Sequence, residues 1–245
     1  MARSRIRWRL ATVLDLMAET PRAETIALDV PEWPGHAAGQ HVDVRLTAED
    51  GYQTERSYAI ASAPEDPRLA LTVERIDGGE VSQYLTEQLR PGDRLELCGP
   101  IGGSFTWLSG DERPLLLIGR STGLVPLMAI LRHRAARAHG VEVRMLISAR
   151  SREDVFYRDE LTGMAQSDGV AVHYALTPDP PPGWTGFARP VDAAMLEAVG
   201  PAPAQRPRVF VCGPTSFVGR TVDLLVELGH DPATIRAEDF GPADG

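Results

Sequence analysis

PLLLIGRSTGLVPLMAILRHRAARAHG, residues 114–140, decides the fold. PLLLIG is a continuous apolar run, as in a strand buried on both faces of a sheet. GRSTG (119–123) is a glycine-bearing turn, and LVPLMAILRHRAARAHG reads as a helix ended by Gly140. The same alternation continues downstream. VEVRMLIS, VAVHYAL and RVFVCG read as strands; YRDELTGMAQ, AAMLEAVG and SFVGRTVDLLVELG read as helices; the terminal IRAEDF reads as a last short strand. Strands that alternate with helices predict a doubly wound parallel sheet of the Rossmann-like kind. The proline-rich TPDPPPGWTG (177–186) is short enough to be a loop.

Upstream the rhythm differs. RWRLATVLDL, AETIALDV, QHVDVRLT, ERSYAIAS, LALTVERI and RLELCG are rich in Val, Ile, Leu, Thr and Tyr, and turn material separates them, including Glu49–Gly51. One helix is predicted over VSQYLTEQLR (81–90), with Val81, Tyr84, Leu85 and Leu89 on one face and Pro91–Gly92 ending it. About six short strands and one helix predict a closed antiparallel Greek-key barrel. The polar SGDER after Leu108 marks the boundary, which divides the chain into residues 1–108 and 109–245.

Composition narrows the function. Hydrophobic residues are 43% and charged residues 24%, a globular balance that disfavours disordered and collagen-like architectures. The net charge of -9 argues against a dedicated nucleic-acid binder, which needs cationic surface. Every one of the 25 basic side chains is Arg, so a side-chain anion site must use Arg, His or a neutral donor. Two distant cysteines, Cys98 and Cys212, make neither a disulfide framework nor the four-thiolate set of a plant-type iron–sulfur cluster. The six histidines show no metal-ligand spacing, and His41 and His173 fall inside strand patterns. No apolar run reaches the roughly 20 residues that span a bilayer. The start has the arginines of a signal segment, but Asp15 interrupts its apolar stretch and no cleavage site follows, so it reads as an edge strand of a cytoplasmic protein. Arg3, Arg5, Arg7 and Arg9 form a candidate docking patch, with a solvated edge strand as the plainer reading.

Four segments could carry chemistry. GRSTG lies between a buried strand and a helix, where backbone N–H groups meet a phosphate; the same pattern serves equally as a tight turn. CGP (212–214) lies at another strand end, bordering the ligand crevice of an open parallel sheet, although a lone buried Cys is usually a small core residue. RSYAIAS (56–62) could hold an anion with its Arg and stack its Tyr on a ring; a surface Arg beside a packed Tyr looks alike. GGEVSQYL (78–85) offers free N–H groups at a helix start, or is a helix after a turn.

In this order and on these elements, the four segments resemble the ferredoxin–NADP reductase superfamily, in particular stand-alone FAD-binding reductases of bacterial oxygenase and ferredoxin systems. RSYAIASAP resembles the flavin signature Arg-x-Tyr-Ser, GGEVSQYL the second flavin-phosphate segment, GRSTGLVP the nicotinamide-cofactor turn, VCGP the Cys-Gly-Pro that faces the nicotinamide, and RAEDFGP a C-terminal segment near the flavin. The resemblance implies an FAD-binding barrel over 1–108 and an NAD(P)-binding domain over 109–245. It implies that Arg56 pairs with the FAD pyrophosphate and that Tyr58 packs on the flavin. Main-chain groups of Ser57, Ala59, Val73 and Arg75 would line the isoalloxazine, with Val81 and Ser82 donating to the phosphates. Gly119, Thr122, Gly123 and Pro126 would form the nicotinamide-dinucleotide turn, with Gly213 and Pro214 beside it. Cys212 and Glu238 would sit near the hydride path together with Ala59, and Phe240 would cover a flavin face.

The implied activity is hydride transfer from NADPH or NADH to FAD, then electron delivery to a separate acceptor: a ferredoxin, an oxygenase component or a haem protein. Ser148, Arg150, Arg152 and Arg158 are candidate partners of a 2′-phosphate and favour NADPH slightly, against Pro178, Glu153 and Asp154. Two positions depart from the resemblance: Ala59 stands where Ser or Thr is usual, and Arg120 where Gly is usual. The alternatives are a flavin reductase or diaphorase serving small acceptors, and a cofactor-depleted interaction domain of the same fold.

Overall fold

A computed structural model describes residues 7–48, 50–137, 140–167 and 169–241. Its contacts fall into two compact units. The break lies between Leu108 and Ser109, and Met128–His133 groups with the first unit.

The first unit is a six-stranded antiparallel sheet of β1 (Trp8–Thr20), β2 (Ala23–Asp29), β3 (His41–Thr47), β4 (Gln53–Ala59), β5 (Leu69–Glu74) and β6 (Arg94–Ile101). Their spatial order is β4-β3-β6-β1-β2-β5. The alternation of the strands buries one face: Val42 and Val44 of β3, Leu95 and Leu97 of β6, Ile26 and Leu28 of β2 and Leu71 and Val73 of β5 share one core. Each such side chain contributes about 1.5–3 kcal/mol on burial. Helix α1 (Glu80–Gln83) continues through a π-turn over Tyr84–Gln88, so regular helix is shorter than the ten residues its apolar spacing suggests. Val81, Leu85 and Leu89 are buried in the same core, with Tyr84 packed at its margin.

β1 is not an edge strand. Its first half pairs with β6 from Trp8 to Thr12, and its second half pairs with β2 from Thr12 to Thr20. A register shift between Val13 and Asp15 marks the exchange of partners. A strand of 13 residues is long enough to serve two neighbours in turn, with the irregularity bending it between them. The arginine run also differs from a free patch where it is described. Arg7 pairs with Glu32 at 2.7 Å, and Arg9 donates to the Gly99 carbonyl at 3.1 Å. Arg3 and Arg5 lie outside the described residues.

The second unit is a five-stranded parallel sheet of β7 (Leu115–Arg120), β8 (Val143–Ala149), β9 (Val170–Leu176), β10 (Arg208–Gly213) and β11 (Ile235–Asp239), ordered β11-β10-β7-β8-β9. The connecting helices are α2 (Leu124–Arg137), α3 (Arg158–Ser167), α4 (Ala193–Val199) and α5 (Thr215–Glu227). Strand order runs outward from β7 in both directions, so the chain reverses between β7 and β10. That reversal opens a crevice at the carboxyl ends of these strands. At the opposite end, Asp111 accepts from Arg113 Nε at 2.8 Å and from Arg208 Nε at 2.7 Å, tying the approach to β7 onto the start of β10.

Candidate functional site

Within the first unit, the sheet leaves a gap where the flavin signature lies. β4 is hydrogen-bonded to β3 on one side and β5 to β2 on one side. These two outer strands meet at one end, through the Ile60–Leu71 bridge and the Ala61 N–H, which donates to Ala70 O at 2.7 Å. Away from that point, neither edge has a further ladder among the described residues. Ser57 and Ala59 on β4 therefore turn their backbone groups to the outer edge, Ala59 beside the Ile60–Leu71 bridge, where alternate N–H and C=O groups are left to an outside partner; on β5, Val73 pairs with Glu24 and turns its backbone to β2, so the outward groups there are those of Glu74.

Side chains around these edges are placed as follows. Arg56 is exposed, and among the described residues its guanidinium makes one hydrogen bond, to the Glu55 carbonyl at 2.7 Å. Tyr58 is packed against the core, and burial pushes its phenol up to about 12 while Arg56 pulls it down. The Ser57 hydroxyl donates to Asp43. Ala59 is buried at the end of β4 opposite His41. Arg75 pairs with Glu87 at 3.0 Å through Nη1, while its buried Nε has no partner.

The Ser82 hydroxyl donates to Gly79 O at 3.2 Å and accepts from Ile76 N–H at 3.1 Å. That hydroxyl is committed to the turn, so the donors remaining at this segment are backbone N–H groups. Gly79 supplies no side-chain cap to Glu80, Val81 or Ser82. Gly78, at φ +77°, makes the turn that presents them.

These residues fit a dinucleotide carrying a flat polar ring. Among the described residues, an orphaned Arg75 Nε, an Arg56 without an acidic partner and uncapped N–H groups are open to anionic or carbonyl oxygens. The unpaired edges can receive the ring's polar rim. The Ser82 hydroxyl and the main chain of Arg75 are already used by the fold: the Arg75 N–H donates to Arg22 O at 2.7 Å and its carbonyl accepts from the Arg22 guanidinium at 3.1 Å.

Within the second unit, Gly119 ends the buried part of β7, a 3₁₀ turn covers Ser121–Gly123, and Pro126 sits in the first turn of α2, where its missing N–H costs no hydrogen bond. Gly123 is required by contact: a Cβ there would lie 2.1 Å from the Cys212 carbonyl oxygen. The turn and the Cys212-Gly213-Pro214 segment are thus in van der Waals contact. Ser121 holds φ +53°, a left-handed conformation that a serine adopts at a cost of about 1–2 kcal/mol.

Cys212 and Glu238 are neighbours across β10 and β11. Burial holds the Cys212 thiol well above its ordinary range, and Glu238 adds to the effect. Burial also raises Glu238, with Asp239 contributing. Cys212 is therefore not set up as a thiolate nucleophile at neutral pH. Phe240 is 38% exposed, and its N–H donates to Gly213 O at 3.3 Å.

Ser148 is buried at the end of β8, beside Arg120. Arg150, Arg152 and Arg158 are exposed and have no ion pair among the described residues. Thr177 escaped the sequence reading. Its buried Oγ1 has no partner, and its N–H donates to Ala149 O at 3.0 Å, just past the carboxyl ends of β8 and β9. The signal was a hydroxyl residue directly after a strand in such a sheet.

An open-edged antiparallel barrel and a parallel sheet with a glycine turn at its switch point define a flavin- and nicotinamide-dependent oxidoreductase. The comparisons agree. Family models match the oxidoreductase FAD-binding domain over residues 22–107 and the oxidoreductase NAD-binding domain over residues 117–223. The chain is 36% identical to ferredoxin–NADP reductase B of Sorangium cellulosum, over 79% of this chain and 78% of that one. It is 31% identical to the glycine betaine monooxygenase reductase subunit of Pseudomonas aeruginosa, over 83% of this chain but 56% of that protein, so it spans little more than half of that relative. Among solved structures, the Amycolatopsis cytochrome P450 reductase superposes with a TM-score of 0.84 at 29% identity, over 98% of this chain and 71% of that one. The chain belongs to the ferredoxin–NADP reductase superfamily. No helix among the described residues is long and apolar enough to cross a membrane.

Proposed function

We propose that this chain is an NAD(P)H-dependent reductase that loads FAD by hydride transfer and serves a separate electron acceptor. The observation that carries this reading is the gap between the β4 and β5 edges beside Arg56 and Tyr58. FAD supplies a carrier that takes two electrons together and can release them singly. The residues do the rest. Arg56 binds the pyrophosphate with its planar fork. Tyr58 provides an aromatic surface, and its hydroxyl stays protonated through the physiological range. The edges at Ser57–Ala59 and at Glu74 orient the ring, and the Val81 and Ser82 N–H groups hold phosphate. Residues 1–108 are assigned to FAD and 109–245 to the nicotinamide nucleotide.

In the nucleotide unit, Gly119, Thr122, Gly123 and Pro126 form the pyrophosphate turn, and Cys212, Gly213, Pro214 and Glu238 form a floor for the nicotinamide. Phe240, exposed and tethered to Gly213, stacks on a ring. NADPH is the preferred donor, supported by the unpaired Arg150, Arg152 and Arg158 beyond β8. The acceptor belongs to the ferredoxin, oxygenase-component or haem-protein class, supported by relatives named as reductases of oxygenase systems. A cytoplasmic location agrees with two unbridged cysteines.

Purification tests the reading. A yellow protein absorbing near 450 nm (roughly, a property of flavins) and bleached anaerobically by NADPH is expected. A colourless chain that FAD does not reconstitute overturns it. Steady-state comparison of NADPH with NADH tests the donor, and a strong NADH preference overturns that assignment.

A further inference from the structure

Arg120 is the last residue of β7, the central strand of the parallel sheet. It is half-buried, yet among the described residues its guanidinium has neither an ion pair nor a hydrogen bond. Other partly buried arginines of the same unit behave differently: Arg113 and Arg208 share Asp111, and Arg144 holds Glu142 and the Val199 carbonyl. The Arg120 guanidinium is not among the buried unsatisfied groups, so it keeps contact with solvent and its donors stay open to a partner from outside the chain.

Its surroundings indicate where that partner lies. The Arg120 Cβ is 3.3 Å, and its carbonyl oxygen 3.2 Å, from the position a Cβ on Gly213 would occupy. Gly213 carries none, so the side chain leaves the backbone where β7 and β10 converge, at the switch point. Three residues on, the backbone of Gly123 meets Cys212. Arg120 therefore stands at the centre of the crevice, between the turn and the nicotinamide floor. Arg150, Arg152 and Arg158 follow β8, one strand further out.

We infer that Arg120 is a binding residue for the nucleotide donor: it supplies a side-chain cation to the pyrophosphate that NADH and NADPH share. The inference rests on the reading of the second unit as the nicotinamide-nucleotide site. A backbone turn alone meets the pyrophosphate with dipoles, whereas a guanidinium adds a full charge and up to two directed donors. Affinity gained in this way is common to both dinucleotides and sensitive to salt.

The test uses the FAD-loaded protein and its Arg120→Gln and Arg120→Lys variants. Dissociation constants for NAD+, NADP+ and 2′-phospho-AMP are measured by calorimetry across a salt series, with flavin content and melting temperature as controls of folding. For Arg120→Gln, both dinucleotides should weaken by a similar factor, roughly ten- to hundredfold. The salt dependence should flatten, 2′-phospho-AMP should be unaffected, and Lys should restore part of the loss. Unchanged dinucleotide affinity in a folded Arg120→Gln overturns the role. Loss confined to NADP+ and 2′-phospho-AMP also overturns it, by placing Arg120 on the 2′-phosphate. If the unaltered protein binds neither dinucleotide, the underlying site assignment fails first and this inference with it.

Discussion

Cys212 and Glu238 stand directly opposite each other on the adjacent parallel strands β10 and β11, with the thiol fully buried and the carboxyl half-buried. Burial raises the proton affinity of both, and each negative charge nearby adds to the effect. The pair therefore keeps its protons more readily than free side chains do.

Glu238→Gln is expected to raise the melting temperature at neutral pH. The folded-state carboxyl titrates above its unfolded counterpart, so the folded chain binds more protons between the two values and stability falls as pH rises through that window. Glutamine removes this penalty, and the gain should vanish once the pH is below the ordinary carboxylate range. Thermal melts at pH 4 and pH 7.5 (chosen to lie roughly on either side of that window) check the sign. A destabilised variant at neutral pH would contradict the account.

Arg56→Ala should weaken FAD binding roughly ten- to hundredfold, the loss of a charge-assisted pair to phosphate. The apoprotein should melt unchanged, because the guanidinium has only a neighbouring carbonyl to lose. Quenching of flavin fluorescence gives the affinity. Arg56→Lys should recover little, since a point charge lacks the bidentate fork.

Ala59→Ser should speed flavin reduction about fivefold, equivalent to one added hydrogen bond of about 1 kcal/mol realised in the transition state. Ala59 closes β4 and is 8% exposed, so the added hydroxyl enters a nearly dry site. Stopped-flow reduction at saturating donor is the measurement. An unaltered rate in a fully flavinated variant removes Ala59 from the catalytic set.

Asp111→Asn should cost about 1–2 kcal/mol at neutral pH, as expected for partly screened pairs strengthened by charge-assisted hydrogen bonds. Arg113 foremost, then Arg208, holds this carboxyl far below the ordinary range. The unfolded chain then binds the extra proton as acid is added, so the stabilisation is complete above the usual carboxylate range and drains away below it. Urea titrations at several pH values should show the two proteins converging at low pH.

The alternation of strands and helices after Pro114 was legible because a parallel sheet buries both faces and writes itself as uninterrupted apolar runs. The order of the four motifs was legible for the same local reason: each sits at the end of an element with a clear pattern. What stayed hidden depends on partners distant in sequence. Nothing in WRLATVLDLMAET says that β1 exchanges β6 for β2 near Val13. The commitment of the Ser82 hydroxyl to Gly79 and Ile76 follows from the shape of one turn. The unpaired state of Arg120 and the orphaned Thr177 hydroxyl are properties of surroundings, invisible in residue identity.

The gap between the outer strands β4 and β5 bears on how the protein is handled. An unladdered pair of edges is an invitation to another chain, so the empty protein should be the form that self-associates and is trimmed by proteases. A tightly held prosthetic group adds stability by mass action, about 2.7 kcal/mol at a hundredfold excess over its dissociation constant. Riboflavin supply during expression, and FAD in the purification buffers, would then govern yield as much as any property of the polypeptide.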